Sequence, residues 1–278
     1  MGTRLITLSE NTAWQSEVLA EWGLSVLIEK DGHSILLDAG ATFSAAQNAS
    51  ALGVDLSKIS TIVLSHGHFD HTGGLPHLLA AIGHEVAVIA HPDLWAPKYN
   101  CKSGRPEKYI GIPYCREELE ALGAEFKLSS KPVIIDTDIT TTGEVPMLTD
   151  FESVDPVLCL KTGNGWQPDP LLDDQGIIIK NPQGLAIICG CAHRGLINTL
   201  NQARIITGTQ KIDLVMGGAH LFSASDEQIW QTISALNEMG VQKLATCHCT
   251  GMRANILLSQ TFGKNFILNS TGTIINLS

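Results

Sequence analysis

The chain has 278 residues, 44% of them hydrophobic, enough to bury one sizeable core, and a single large domain is expected. Its formal charge of -10 argues against a nucleic-acid or membrane-surface binder, since such proteins carry net basic patches, and favours a small-molecule partner. No stretch approaches the roughly 18 uninterrupted apolar residues of a membrane span, and the opening MGTRLITLSE lacks the apolar segment and cleavage site of a signal peptide, so a cytoplasmic protein is expected.

In chain order, LSVLIEK and HSILLD flank Asp31-Gly32, which reads as a β-hairpin with a tight turn. A helix is predicted at 43–52, and STIVLS at 60–65 reads as a buried strand. HEVAVIA follows as a strand. Between about 94 and 151 the pattern loosens into Pro, Gly, Tyr and basic residues, as expected of a lid or substrate insertion. There Lys98, Lys102, Arg105 and Lys108 suit a phosphate or carboxylate, and Tyr99, Tyr109 and Tyr114 suit a planar ring. LLDDQG at 171–176 reads as a turn. The strands GIIIK, GLAIICG, KIDLVMGG, KLATCHC and NFILNSTGTIINL then alternate with helices at 195–206, 225–239 and 251–261, the pattern of an α/β protein.

Three of the ten histidines fall in LSHGHFDHTGG at 64–74. Strand-like positions two apart point the same way, so His66 and His68 can close on one ion, with Asp70 and His71 in the turn beyond. Imidazole and carboxylate are ligands for zinc, manganese or iron, and the spacing suits two adjacent metals sharing one loop. The alternative is a solvated turn that happens to be rich in histidine. Seven cysteines include two Cys-x-Cys pairs, Cys189/Cys191 and Cys247/Cys249, which suit reduced thiols better than a disulfide framework and read as small buried side chains at strand ends.

STIVLSHGHFDHTGGL and ILLDAG resemble motifs of the metallo-β-lactamase superfamily, whose fold is a four-layered αββα sandwich with a one- or two-metal site at the sheet edges. GEVPMLTDFE, ICGCAHRGLINTL, GGAHL and CHCTG are most similar to a subgroup of dihydropterin-methyl-ribofuranosylaminobenzene-phosphate synthase-like proteins. The resemblance implies a first site of His66, His68 and His193 and a second of Asp70, His71 and His248. Many dinuclear members place a bridging aspartate where this chain has Gly218, which puts the second site's occupancy in question. His220 could face the open coordination side, contact substrate or cap a turn, and Asp38 is expected to accept a ligand's second N–H.

The expected function is that of a metal-dependent hydrolase or pterin-type transferase, in which a metal-bound hydroxide attacks a small phosphorylated or ester-bearing substrate. Asp70 would be both ligand and the group that orients the nucleophile or moves its proton, with His220 as a second catalytic candidate. Zinc is the expected ion, with manganese or iron as alternatives. The competing readings are a di-iron redox or oxygen-handling protein and a metal-binding sensor; the intact ligand set argues against the latter.

Overall fold

The computed structural model describes residues 2–277. The chain begins with β1 (Thr3–Ser9), β2 (Ser25–Lys30), β3 (His33–Leu37), α1 (Ser44–Ala51), β4 (Ile59–Val63), α2 (Phe69–Thr72), α3 (Leu75–Ile82) and β5 (Val86–Ala90). It continues through β6 (Lys98–Asn100), β7 (Lys108–Tyr109), α4 (Arg116–Glu120), β8 (Ala124–Leu128), β9 (Ile134–Asp136) and β10 (Ile139–Thr141). Next come β11 (Leu158–Thr162), β12 (Gly165–Pro168), β13 (Gly176–Asn181), β14 (Gly184–Cys189), α5 (Leu196–Thr207) and β15 (Ile212–Gly218). The last elements are α6 (Asp226–Glu238), β16 (Lys243–Cys247), α7 (Met252–Phe262) and β17 (Ile274–Leu277).

The hairpin expected at Asp31-Gly32 joins β2 to β3, pairing Lys30 with His33, and both turn residues have positive φ as a tight primed turn requires. Seven strands form one sheet in the order β17-β1-β2-β3-β4-β5-β8, and six form a second in the order β16-β15-β14-β13-β10-β9. Within the first, β3, β4, β5 and β8 run parallel; within the second, β14, β15 and β16 do. Among the described residues no helix is long and apolar enough to cross a membrane.

Side-chain alternation sorts the core into three apolar layers. Along β14, Ala186 and Ile188 face the other sheet, meeting Val26, Ile35 and Val63, whereas Leu185, Ile187 and Cys189 face α5 and α6. In the first sheet Leu36, Ile62 and Val88 turn outward against α1 and α3. Two sheets apolar on both faces must be covered on both outer sides, which gives helix, sheet, sheet, helix. Each buried Leu or Ile contributes about 1.5–3 kcal/mol.

The stretch 94–151 is more ordered than its composition suggests. β8 completes the first sheet and β9 and β10 edge the second. The part that rises over the sheet ends is β6 and β7, which pair with β11 and β12 into a four-stranded sheet. That pairing joins Cys101 and Cys159 in a disulfide, which the sequence did not suggest, while the four thiols of the Cys-x-Cys pairs are free as expected; the bridged residues lie 58 apart in sequence and meet through the β6–β11 register.

Candidate metal centre

Ligands in α/β sheets gather at the carboxyl ends of parallel strands, and every predicted site residue lies there. Asp38 follows β3, His66 and His68 follow β4, His193 follows β14, His220 follows β15 and His248 follows β16. His66 and His68 project from a loop and not, as their spacing suggested, from a continuing strand; His68 is extended and caps α2, whose first turn carries Asp70 and His71. Gly67 between them has no room for a side chain, because a β-carbon would sit 2.2 Å from the Leu94 carbonyl oxygen. The backbone is also strained here. Asp38, Ala192, His220 and His248 all have positive φ, a conformation non-glycine residues keep where surrounding structure enforces it, often at functional sites.

Two groups of side chains converge. His66 Nε2 lies 3.0 Å from His68 Nδ1 and 3.2 Å from His193 Nε2. His71 Nε2 lies 3.2 Å from His248 Nε2, with Asp70 Oδ2 at 3.9 and 3.5 Å from those two atoms. Within each set the donor atoms are all within 4.8 Å of one another and the residues are buried.

Hydrogen bonds on the far side of the rings fix which nitrogens face inward. The Ser65 hydroxyl donates to Asp38 Oδ2 at 2.6 Å, so at 2.9 Å it accepts from His66 Nδ1–H, leaving the His66 Nε2 lone pair pointing into the centre. His71 Nδ1–H donates to Asp38 Oδ2 at 2.7 Å, and His248 Nδ1–H to Asn11 Oδ1 at 2.9 Å. Both of their Nε2 atoms thus face each other. Two bare nitrogen lone pairs at that separation repel unless a proton or a metal cation lies between them, and a ligand histidine held from behind by a carboxylate is the usual arrangement around a metal.

The electrostatics agree. Burial pushes His66, His68 and His193 below the ordinary histidine range, His68 to about 3, so these rings are neutral and free to ligate. Burial opposes charge on His71 too, but Asp38 and Asp70 outweigh it and raise the ring to about 9, the response of a site that favours positive charge. Burial likewise works against an ionised Asp70, yet His71 and His248 hold its carboxyl well below the usual range. The residues therefore fit one or two divalent cations.

Several supporting residues were not legible beforehand. Lys98, expected at the substrate, is buried and bonds Asp169 at 3.1 Å and Asp173 at 2.8 Å. Asp173 also accepts from Gly67 N at 2.8 Å, and Gln175 bonds the Leu64 and Ser65 carbonyls, so LLDDQG braces the loop that carries His66 and His68 and is more than a turn. Glu152 accepts from Ile197 N and Asn198 N, capping the helix that follows His193. Glu10 accepts from His248 N. Of the other lid residues, Lys102 and Arg105 lie in an exposed turn, Tyr99 packs between Tyr109 and Trp166, and Tyr114 bonds the Gly73 carbonyl; Lys108 alone of the four basic residues lines the cavity over the centre. His220 lies on that cavity's wall, its ring 4.0 Å from that of His193 and its Nε2 3.9 Å from Asp155 Oδ2; burial lowers it, but Asp155 prevails and raises it to about 9.

At Gly218 a β-carbon would stand 2.4 Å from the Gly190 oxygen and 2.6 Å from Cys249 Sγ, so this backbone excludes a carboxylate. The cysteine pairs divide. Cys189 and Cys247 belong to the apolar core as expected, while Cys191 and Cys249 turn into the centre, with Cys191 Sγ 3.1 Å from His71 Nε2. Burial pushes the Cys191 thiol well up; for Cys249, hydrogen bonds from Cys191 and His220 overcome burial and hold it well down.

A four-layered sandwich with a histidine-rich centre at its strand ends is the architecture of the metallo-β-lactamase superfamily; the profile of that superfamily matches residues 23–230, and the chain belongs to it. It is 33% identical, over 98% of its length and 96% of the relative's, to the 7,8-dihydropterin-6-methyl-4-(β-D-ribofuranosyl)-aminobenzene-5'-phosphate synthase of Methanocaldococcus jannaschii. An uncharacterised protein of the same organism is 32% identical over 97% of this chain and 98% of its own. Among solved structures, Tm1679, a metal-dependent hydrolase of the β-lactamase superfamily, matches with a TM-score of 0.84 at 25% identity over 99% of both chains.

Proposed function

We propose that the chain is a metal-dependent enzyme, a hydrolase or pterin-type transferase, acting on a small molecule that combines a planar ring with a phosphate or ester. The observation that carries this reading is the set of inward-facing Nε2 atoms on His66, His71 and His248, fixed by Ser65, Asp38 and Asn11, beneath a cavity that His68, Asp70, His193 and His248 line. His66, His68 and His193 would hold one ion and Asp70, His71 and His248 the other, with zinc, manganese or iron suited to such donors. When bound, a divalent ion lowers the pKa of a coordinated water and polarises the group under attack.

The chain's own residues supply the rest. The cavity, about 410 Å³, is walled by Trp22, Phe69, Ile110 and Phe222, which suit a ring, and Lys108 at its edge suits an anionic group. Asp70, ionised beside His71 and His248 and on the cavity wall, is placed to orient the attacking group or accept its proton. His220, cationic beside Asp155, is placed to meet negative charge developing on the substrate. The name of the M. jannaschii relative joins a pterin, an aminobenzene ring and a phosphate, the same combination this cavity suits.

The test is metal-loaded and chelated protein assayed side by side on a phosphodiester, a phosphomonoester, a lactone, and a dihydropterin offered with ribofuranosyl-aminobenzene phosphate. Turnover that needs metal and disappears in His68→Ala supports the reading. Equal turnover by chelated protein would contradict it.

A further inference from the structure

We propose that Cys191 is a metal ligand shared between the two clusters, so that the centre joins imidazole, carboxylate and thiolate donors. This rests on the metal-centre reading above and deepens it. Cys191 Sγ lies within 4.8 Å of donor atoms from both clusters: it groups with His66 and His71, with His193 and His220, and with His248 and Cys249. The sulfur lies 3.1 Å from His71 Nε2, the nitrogen that faces His248.

Three features of the fold put the thiol there. Extended backbone would send residues 189 and 191 to the same outer face, and Cys189 does pack among the helix layer's apolar side chains. Beyond β14 the chain leaves strand geometry, Ala192 adopts φ 52°, and Cys191 belongs to none of the apolar clusters. Gly218 of the neighbouring parallel strand approaches so closely that its missing β-carbon would lie 3.1 Å from Cys191 Cα, so no side chain at 218 can enter that space. A buried thiol surrounded by nitrogen donors is poor core and good ligand: thiolate sulfur binds zinc and cobalt strongly, and coordination releases its proton to solvent as the metal–sulfur bond forms.

Cobalt(II) added to chelated protein tests this without any assay of turnover. Thiolate coordination gives sulfur-to-cobalt charge-transfer absorption in the near ultraviolet, separate from the visible ligand-field bands that any tetrahedral cobalt site shows. The expected result is charge-transfer absorption in the unsubstituted protein and in Cys249→Ser, its loss in Cys191→Ser, and weaker cobalt binding in that variant by about tenfold or more, since even outer partners of ligands cost 10–100-fold. Ligand-field bands without charge transfer, or charge transfer that survives Cys191→Ser, would overturn the thiolate assignment while leaving the histidine centre intact. Failure of the unsubstituted protein to bind cobalt would overturn both. If Cys191→Ser does not fold, the spectra of the unsubstituted protein and Cys249→Ser still decide: charge transfer lost with Cys249 refutes the assignment.

Discussion

Replacing Asp38 with asparagine removes one charge and no volume from the least replaceable support of the centre. Its two oxygens accept three donors: Ser65 N at 2.7 Å on Oδ1, and the Ser65 hydroxyl at 2.6 Å and His71 Nδ1 at 2.7 Å on Oδ2. An amide offers one accepting oxygen, so in either orientation its NH2 group confronts at least one of these buried donors. An unsatisfied buried donor costs about 1–3 kcal/mol, and at about 2–4 °C per kcal/mol the metal-free protein should melt roughly 2–12 °C lower. His71 also loses the carboxylate that orients it, and loss of such a partner weakens metal binding by about 10–100-fold, or about 1.4–2.7 kcal/mol. Zinc titration against a competing chelator, with thermal melts of metal-free and loaded protein, reads both effects. Asp38→Asn that binds zinc as tightly as the unsubstituted protein would refute the role given to this residue.

Gly218→Ala should lower stability by about 1–3 kcal/mol through overpacking against Gly190 and Cys249, visible in a denaturant titration; an unchanged midpoint would show that the approach is less tight than 2.4 Å implies. Lys98→Ala leaves Asp169 and Asp173 buried without their partner and should cost about 3–5 kcal/mol. Were Lys98 a substrate contact, that variant would melt normally and lose only affinity. In metal-free protein His71 and His220 titrate near 9, above the unfolded value of 6.5, so their stabilisation is present below 6.5 and lost as pH rises towards 9. His66, His68 and His193 are depressed instead, and the unfolded chain takes up their protons first, so stability also falls below 6.5. Denaturation of chelated protein across that range should therefore show a maximum, and a monotonic rise with pH would contradict the assignments.

The local parts of this molecule could be read from its sequence. The Asp31-Gly32 turn and the helices after His193 and His248 follow from chemistry within a few residues. So does the cluster at 66–71, and the resemblance located the two remote histidines. What could not be read depends on which strands become neighbours. Lys98 read as a substrate contact until β11, β12 and the turn beyond them brought Asp169 and Asp173 against it. β8 looked like loop because an edge strand with alternating exposure and flanking polar residues carries little apolar signal. The cysteine pairs read alike, yet β14 ends at Cys189, and the loss of strand geometry beyond it separates a core thiol at 189 from one in the centre at 191.

The most direct measurement is the metal content of protein purified without added metal, set beside that of His68→Ala and His193→Ala. The account predicts one to about two divalent ions per chain in the unsubstituted protein and a loss in both variants while their far-ultraviolet circular dichroism is kept. Protein that folds, takes up no ion even when zinc is supplied, or holds as much in the two variants as without them, would contradict a centre built on these histidines.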